Sequence, residues 1–313
     1  MRTALIISLV AAISACSGNS ANDLKKQSAP DVRATSYPAW YLAKRIGGGR
    51  LKPTLLLDEG QEPSHFNPTG EQIADLAQAD LILVHGYGYE QWLKTATLPA
   101  SKVVETARDI PMIQTEGPTH SHGKGGEHSH AGVDPRTWTN PENLRIQAKN
   151  VHAALVQADP PGKPIYDAQL GAVERNIDAC NEQLAPVLAK AKERQLFSAH
   201  PSFNYLAKSA DLAIEGHDLA ADTPPTELAP DHALSTAKPG ALLLWDTTPS
   251  AAVREALPSV QHVTLHPLDR PHEGSYDYFA QCRLNAHMLD RAIAASAPAS
   301  DTDATDPEGV ETP

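Results

Sequence analysis

The sequence predicts an α/β protein made of two similar α/β lobes, parallel sheets covered by helices, joined by a long rigid linker helix. Compact apolar runs such as "DLILVHG" and "ALLLWD" recur between helical patterns, and such runs suit strands buried on both faces of a parallel sheet. This alternation stops between about Pro141 and Leu196, where helix formers dominate, and then resumes. A stiff helix between two alternating halves is a natural connector.

Each element has its own signal. "VRATSYPAWYLAKRIGG" reads as a strand and then a helix starting near Pro38 and stopped by Gly47 to Gly49. "KPTLLL" is a second strand, and "TGEQIADLAQA" is a helix with Ile73, Leu76 and Ala77 on one face. "DLILVHG" and "KVVETA" are strands. In the middle, "PENLRIQAKNVHAALVQA" precedes "PIYDAQLGAVERNIDACNEQLAPVLAKAKE". The second of these far exceeds the usual helix of about 10–14 residues, and Pro186 is expected to kink it. The later half alternates "QLFSAH", "FNYLAKSA", "LAIEGHD", "ALSTA", "ALLLWD", "SAAVREAL" and "HVTLH", closing with a helix over "YDYFAQCRLNAHMLDRAIAA". The boundaries that follow are a first lobe at 32–158, the linker at 159–194 and a second lobe at 195–294. The Pro-, Asp- and Thr-rich tail 295–313 has little to bury and is expected to be disordered.

A net charge of -12 argues against nucleic-acid binding, because phosphate backbones recruit Lys and Arg. The segment "MRTALIISLVAAISAC" pairs Arg2 with an apolar run and small residues before Cys16, the layout of a secretory signal. Its Ile-Ser-Ala-Cys ending resembles a bacterial lipoprotein box, with Cys16 as the lipid-bearing residue; an ordinary signal peptide is the alternative. Residues 17–31 would then be a flexible polar tether, and the chain would be exported and membrane-anchored. Cys180 and Cys282 remain. They form one disulfide or stay as two buried thiols, and the sequence leaves both open.

Among 14 histidines, three stand at the ends of expected strands: His65 in "EPSHF", His200 in "SAHPS" and His266 in "TLHPL". Loops at the carboxyl ends of strands are where open α/β sheets bind ligands, so the three can converge on a metal, or they are unrelated loop histidines. A fourth group, His120, His122, His128 and His130, crowds one glycine-rich run at 119–131. With no framework to fix its geometry it reads as an accessory metal-collecting loop, against the plain alternative of a solvated polar loop.

Taken in order, "EPSHF", "ADLILVHGYGYEQW", the His-rich run before "DPRTW" and "PEN", "SAH" followed by "FNYLA", and the "HPL" ending resemble the zinc- and manganese-type solute-binding proteins of bacterial ABC importers. The likeness spans about Val32 to Ile293. It implies a metal held between two lobes bridged by a rigid helix, a monomer docking on a membrane permease, and no catalysis. Matched by motif, the family's first ligand falls on His65 and its third on His200. The second falls on Arg136, where the family has histidine, and the fourth on His266, where it usually has aspartate. A guanidinium cannot ligate a cation. Three imidazoles with water or an anion in fourth place can hold Zn²⁺. They favour zinc first, Cu²⁺ or Ni²⁺ behind it, and disfavour Mn²⁺. Asp246 or Asp269 are candidates to supply the missing carboxylate or to pair with Arg136. Alternatively Arg136 binds an anion riding on the metal, making a chelate the cargo.

Three histidines on zinc would also suit an exported metallohydrolase. The sequence carries no H-E-x-x-H, G-x-S-x-G or phosphate-loop motif, which favours capture without chemistry. An adhesin on the same fold is a third reading.

Overall fold

The computed structural model describes residues 28–57, 66–115, 120–121, 127–128, 132–225, 232–271, 274 and 276–295. Cys16 and the expected signal, most of the tether, the tail from 296, and His65, His122 and His130 lie outside the described residues.

In the first lobe β1 (Val32–Ala34), α1 (Tyr37–Gly47), β2 (Thr54–Leu55), α2 (Gly70–Leu76), β3 (Leu81–Val84) and β4 (Val103–Glu105) follow the expected alternation. The strands pair in parallel in the order β2-β1-β3-β4. All four residues of β3 are buried, which is why its apolar run is unbroken. Pro38 sits in the first turn of α1, and Gly48, at φ +54, ends it by turning its N–H back to the Lys44 carbonyl. Thr69 and Gln72 form a reciprocal capping box at the start of α2.

Four short strands follow: β5 (Ile113–Thr115), β6 (His120–Ser121), β7 (Glu127–His128) and β8 (Gly132–Asp134). They make two antiparallel ribbons, β5 with β8 and β6 with β7. The His-rich run therefore has more framework than its composition suggests: His120 stands opposite His128 in a ladder. An alternation of polar residues gives no apolar period from which such a ribbon can be read.

Helix α3 (Pro141–Ala158) is capped by the Asn140 side chain. Helix α4 (Lys163–Ala191) is 29 residues long and continues through Pro186, so the expected kink does not interrupt it. A single missing N–H is tolerated where the helix is buried along Val173, Ile177, Cys180 and Leu184 and packs on α1 and α3.

The second lobe holds β9 (Leu196–Ser198), α5 (Asn204–Ser209), β10 (Ile214–Gly216), β11 (Leu242–Trp245), α6 (Ala251–Ala256), β12 (Gln261–Thr264) and α7 (Tyr278–Ala295). Its parallel order, β10-β9-β11-β12, repeats that of the first lobe. The segment "ALSTA" forms turns rather than a helix; the His232 carbonyl accepts both Ser235 N–H and Thr236 N–H, closing a single turn.

One hydrophobic cluster runs from Val32 and Leu83 through Ile177 of α4 to Leu244 and Val263. Polar bonds also tie the lobes. Trp138 Nε1–H donates to the Pro267 carbonyl at 2.9 Å. The Tyr278 hydroxyl donates to the Trp138 carbonyl at 2.6 Å, and the Tyr41 hydroxyl to Asp277 at 2.8 Å. Among the described residues no helix is long and apolar enough to cross a membrane.

Candidate metal centre

In each sheet the strand order reverses beside its first strand, opening a crevice at the carboxyl ends of β1 and β3 in one lobe and of β9 and β11 in the other. Such switch points are where ligands bind in open α/β sheets.

The first crevice is filled by the protein itself. The Glu90 carboxylate accepts the Thr35 hydroxyl at 2.5 Å, His85 N–H at 2.7 Å and Gly86 N–H at 3.1 Å. Burial raises its pKa, and these hydrogen bonds pull back without cancelling the rise. Gly86 is required there: its φ is +93, and a Cβ would come within 3.0 Å of the Glu105 side chain. The His85 ring is fully buried, edge-on to Tyr89 and Trp138 at centroid distances of 5.3 and 4.8 Å, with Nε2 3.4 Å from the Thr137 hydroxyl. Burial drives its pKa down to about 3, against a small upward pull from the Pro135 carbonyl. It is a neutral core group.

The second crevice is polar and follows from strand register. Gly216, Ser198 and Leu244 are aligned across β10, β9 and β11. Two residues beyond each stand Asp218, His200 and Asp246, in a row along the sheet edge. His200 Nδ1 lies 3.1 Å from Asp246 Oδ1, and Asp246 Oδ2 also accepts the Ser202 hydroxyl. Burial pushes the Asp246 pKa up, but the His200 and Ser202 hydrogen bonds and the charge of Arg270 outweigh it and bring it to about 2. Against an anionic acceptor Nδ1 must be the protonated nitrogen, which leaves the lone pair on Nε2 for a cation. The Asp218 carboxylate stands 4.0 Å from that Nε2.

His266 lies on the loop after β12. Asn285 of α7 clamps its backbone from both sides, accepting the His266 N–H at 2.7 Å and donating to its carbonyl at 2.8 Å. Further along the loop Leu268 has φ +63, an unfavourable conformation for a branched residue; the Tyr276 hydroxyl holds its carbonyl at 2.8 Å. Gln281 holds the Arg270 carbonyl at 3.1 Å. The loop is thus anchored from within and around the last helix. Buried Asp269 accepts Arg270 Nε–H at 2.9 Å.

Arg136 is paired with neither Asp246 nor Asp269. Its N–H and Nε–H donate to Asp134 Oδ1 at 3.0 and 3.1 Å. That carboxylate, two residues upstream in the same turn, is wholly buried and takes Asn204 Nδ2–H of the second lobe at 2.9 Å. Asp134 needs a cation, and Arg136 is within easy reach of it. Among the described residues no three metal-ligating side chains are close enough to hold an ion by themselves. His200, Asp218 and Asp246 come together, Asp246 on the Nδ1 side of His200 and Asp218 on the Nε2 side, while His65 falls outside the described residues. Asp218 and Asn285 were not singled out from the sequence. The signal for Asp218 was its place after "LAIEG", equivalent to that of His200 after its own strand.

Residues 32–292 match the family described as zinc-uptake complex component A, periplasmic. The chain belongs to this family. Its members are metal-binding substrate-binding proteins of ABC importers, not enzymes. The zinc-binding lipoprotein AdcA of Streptococcus pneumoniae serotype 4 is 25% identical over 206 residues, 63% of this chain and 40% of AdcA. The chain therefore spans well under two thirds of that relative. The manganese ABC transporter substrate-binding lipoprotein PsaA of Streptococcus pneumoniae is 26% identical over 217 residues, 66% of this chain and 67% of PsaA. The fold matches the crystal structure of the metal-dependent lipoprotein YcdH from Bacillus subtilis with a TM-score of 0.71, at 20% identity, over 84% of this chain and 99% of that one.

Proposed function

We propose that this chain captures a zinc ion outside the cytoplasm, between its lobes, and delivers it to the permease of an ABC importer. The observation that carries this reading is the His200 imidazole, its Nδ1 against anionic Asp246 and its Nε2 4.0 Å from Asp218. Two donors on one tetrahedral zinc stand about 3.4 Å apart, so a small shift brings both onto an ion. His65 and His266 complete the proposed set, and Asp218 supplies the carboxylate that the loss of aspartate at 266 removes. Three imidazoles and one carboxylate suit zinc, copper and nickel and disfavour oxygen-preferring manganese, and a tetrahedral set of four selects zinc among them by geometry. The charge of Arg136 is taken up by Asp134, which favours a bare ion over an anionic chelate. The basic, apolar and small-residue layout ending at Cys16 supports export and lipid attachment.

Calorimetric titration of the chain from residue 20 with Zn²⁺ tests the proposal. One tight site should survive deletion of residues 119–131, disappear in His200→Ala and weaken by about 10-fold or more in Asp218→Asn. Weak binding that depends on the loop would overturn the cleft site, and equal affinity for Mn²⁺ would overturn the choice of metal.

A further inference from the structure

The seam between α4 and α7 holds a pair of nucleophilic side chains with no part in metal capture. Cys180 lies on the buried face of α4 with Val173, Ile177 and Leu184, and Cys282 on the buried face of α7 with Phe279, Ala286 and Leu289. The two helices pack together, and both residues belong to the central core, at 0% and 2% exposure. Both are free thiols in the structure, and each perturbs the ionisation of the other across the seam.

We infer that Cys180 and Cys282 are joined by a disulfide in the mature protein, locking the C-terminal helix onto the linker helix. The bond closes a loop of about 100 residues that contains β9 to β12 and with them His200, Asp218, Asp246 and His266. While α7 is undocked either thiol can open the exchange, Cys180 for example as its thiolate. It displaces one thiolate from the disulfide of a donor, a protein disulfide oxidase or oxidised glutathione, forming a mixed disulfide. Cys282 then attacks the Cys180 sulfur, the new bond forms, and the donor is left reduced, as the oxidase dithiol or as two molecules of glutathione, carrying two electrons and the two thiol protons. Because neither sulfur reaches the surface, exchange takes place before α7 docks. Once closed, the bond is out of reach of reductants in the folded protein.

The inference rests on export only for its oxidant, so two measurements separate them. The full chain is unfolded, reduced, refolded in mixed reduced and oxidised glutathione, and then alkylated in urea without reductant. Peptide mass mapping should find Cys180 and Cys282 linked, two hydrogens lighter than the dithiol and unlabelled, with Cys16 as the labelled cysteine. Reductant added to the folded protein should leave the link intact. Reduction in urea before refolding without glutathione should lower the Tm by roughly 5–15 °C. Label on both Cys180 and Cys282 after oxidative refolding, or either one linked to Cys16, would overturn the pairing. Protease access to the chain in intact cells reads export independently: a chain confined to the cytoplasm whose thiols still close in glutathione would refute export and leave the pairing standing.

Discussion

The buried ring of His85 makes the fold sensitive to mild acid by a calculable amount. The ordinary value for this group is 6.5, and in the fold it is about 3. Because the folded value is the lower one, stability is complete above the ordinary value and is lost as pH falls from there toward the folded value. Each pH unit in that window costs about 1.4 kcal/mol, so at about pH 4.5 this ring alone removes about 2.7 kcal/mol. The size is set by the distance from the ordinary value, since at that pH the folded ring has taken up almost no proton. The assay is urea unfolding at about pH 7 and about pH 4.5, for the natural chain and for His85→Gln, which keeps a polar group toward Thr137 but does not titrate. Every other ionisable group is present in both proteins and cancels in the difference. The natural chain should lose about 2–3 kcal/mol more than the variant across this interval. Equal losses would show that His85 is hydrated or already charged, and the account of the first crevice would fail.

Other groups give sharper local tests. Arg50 clamps buried Asp159, with Nη2 to Oδ1 at 2.7 Å, and Tyr166 adds its hydroxyl at 2.6 Å. Asp159→Asn should cost about 3 kcal/mol in urea unfolding, the lower end for breaking a buried pair because Arg50 keeps some water. Arg50 first, then Tyr166, outweigh burial and hold the Asp159 pKa below its ordinary value of 3.8; its contribution should therefore persist above that value and vanish as pH falls through the lower one. Asp246→Asn should weaken zinc binding by about 10–100-fold through loss of the anion behind His200, and an unchanged titration would separate Asp246 from the ion. Arg136→His should lose about 1.5–3 kcal/mol of stability from the uncompensated Asp134 and leave zinc affinity nearly unchanged, since the four proposed donors do not include residue 136. Zinc binding tightened by about 10-fold or more would put residue 136 at the ion and break the proposed donor set.

What the sequence disclosed was whatever rests on local period and local chemistry. The runs over Leu81–Val84 and Leu242–Trp245 read as strands of a buried sheet, and Ile73, Leu76 and Ala77 marked one face of a helix. The motif order disclosed the family and put His200 at a strand end. The cluster around His200 was hidden because β9 lies between two strands that follow it in the chain. Asp218 and Asp246 are separated from His200 by 18 and 46 residues and become neighbours only through the aligned register of three parallel strands. The Arg136–Asp134 pair is local in sequence, but nothing in the pattern "DPRTW" distinguishes Asp134 from Asp246 and Asp269 as the partner of the guanidinium. The ribbon under the His-rich run had no apolar alternation to betray it.

The core that passes through α4 without a break bears on how the chain comes to be folded. Tyr41 of α1 meets Asp277 across 236 residues of sequence, and Tyr278 closes over the Trp138 carbonyl. The first lobe is therefore incomplete until the last helix has left the ribosome, however early its own strands were made. Contacts of such sequence separation slow folding, because loop closure must be met before they reward it. A chain of this kind stays unfinished for the whole of its synthesis, and so remains threadable for as long as it is being made.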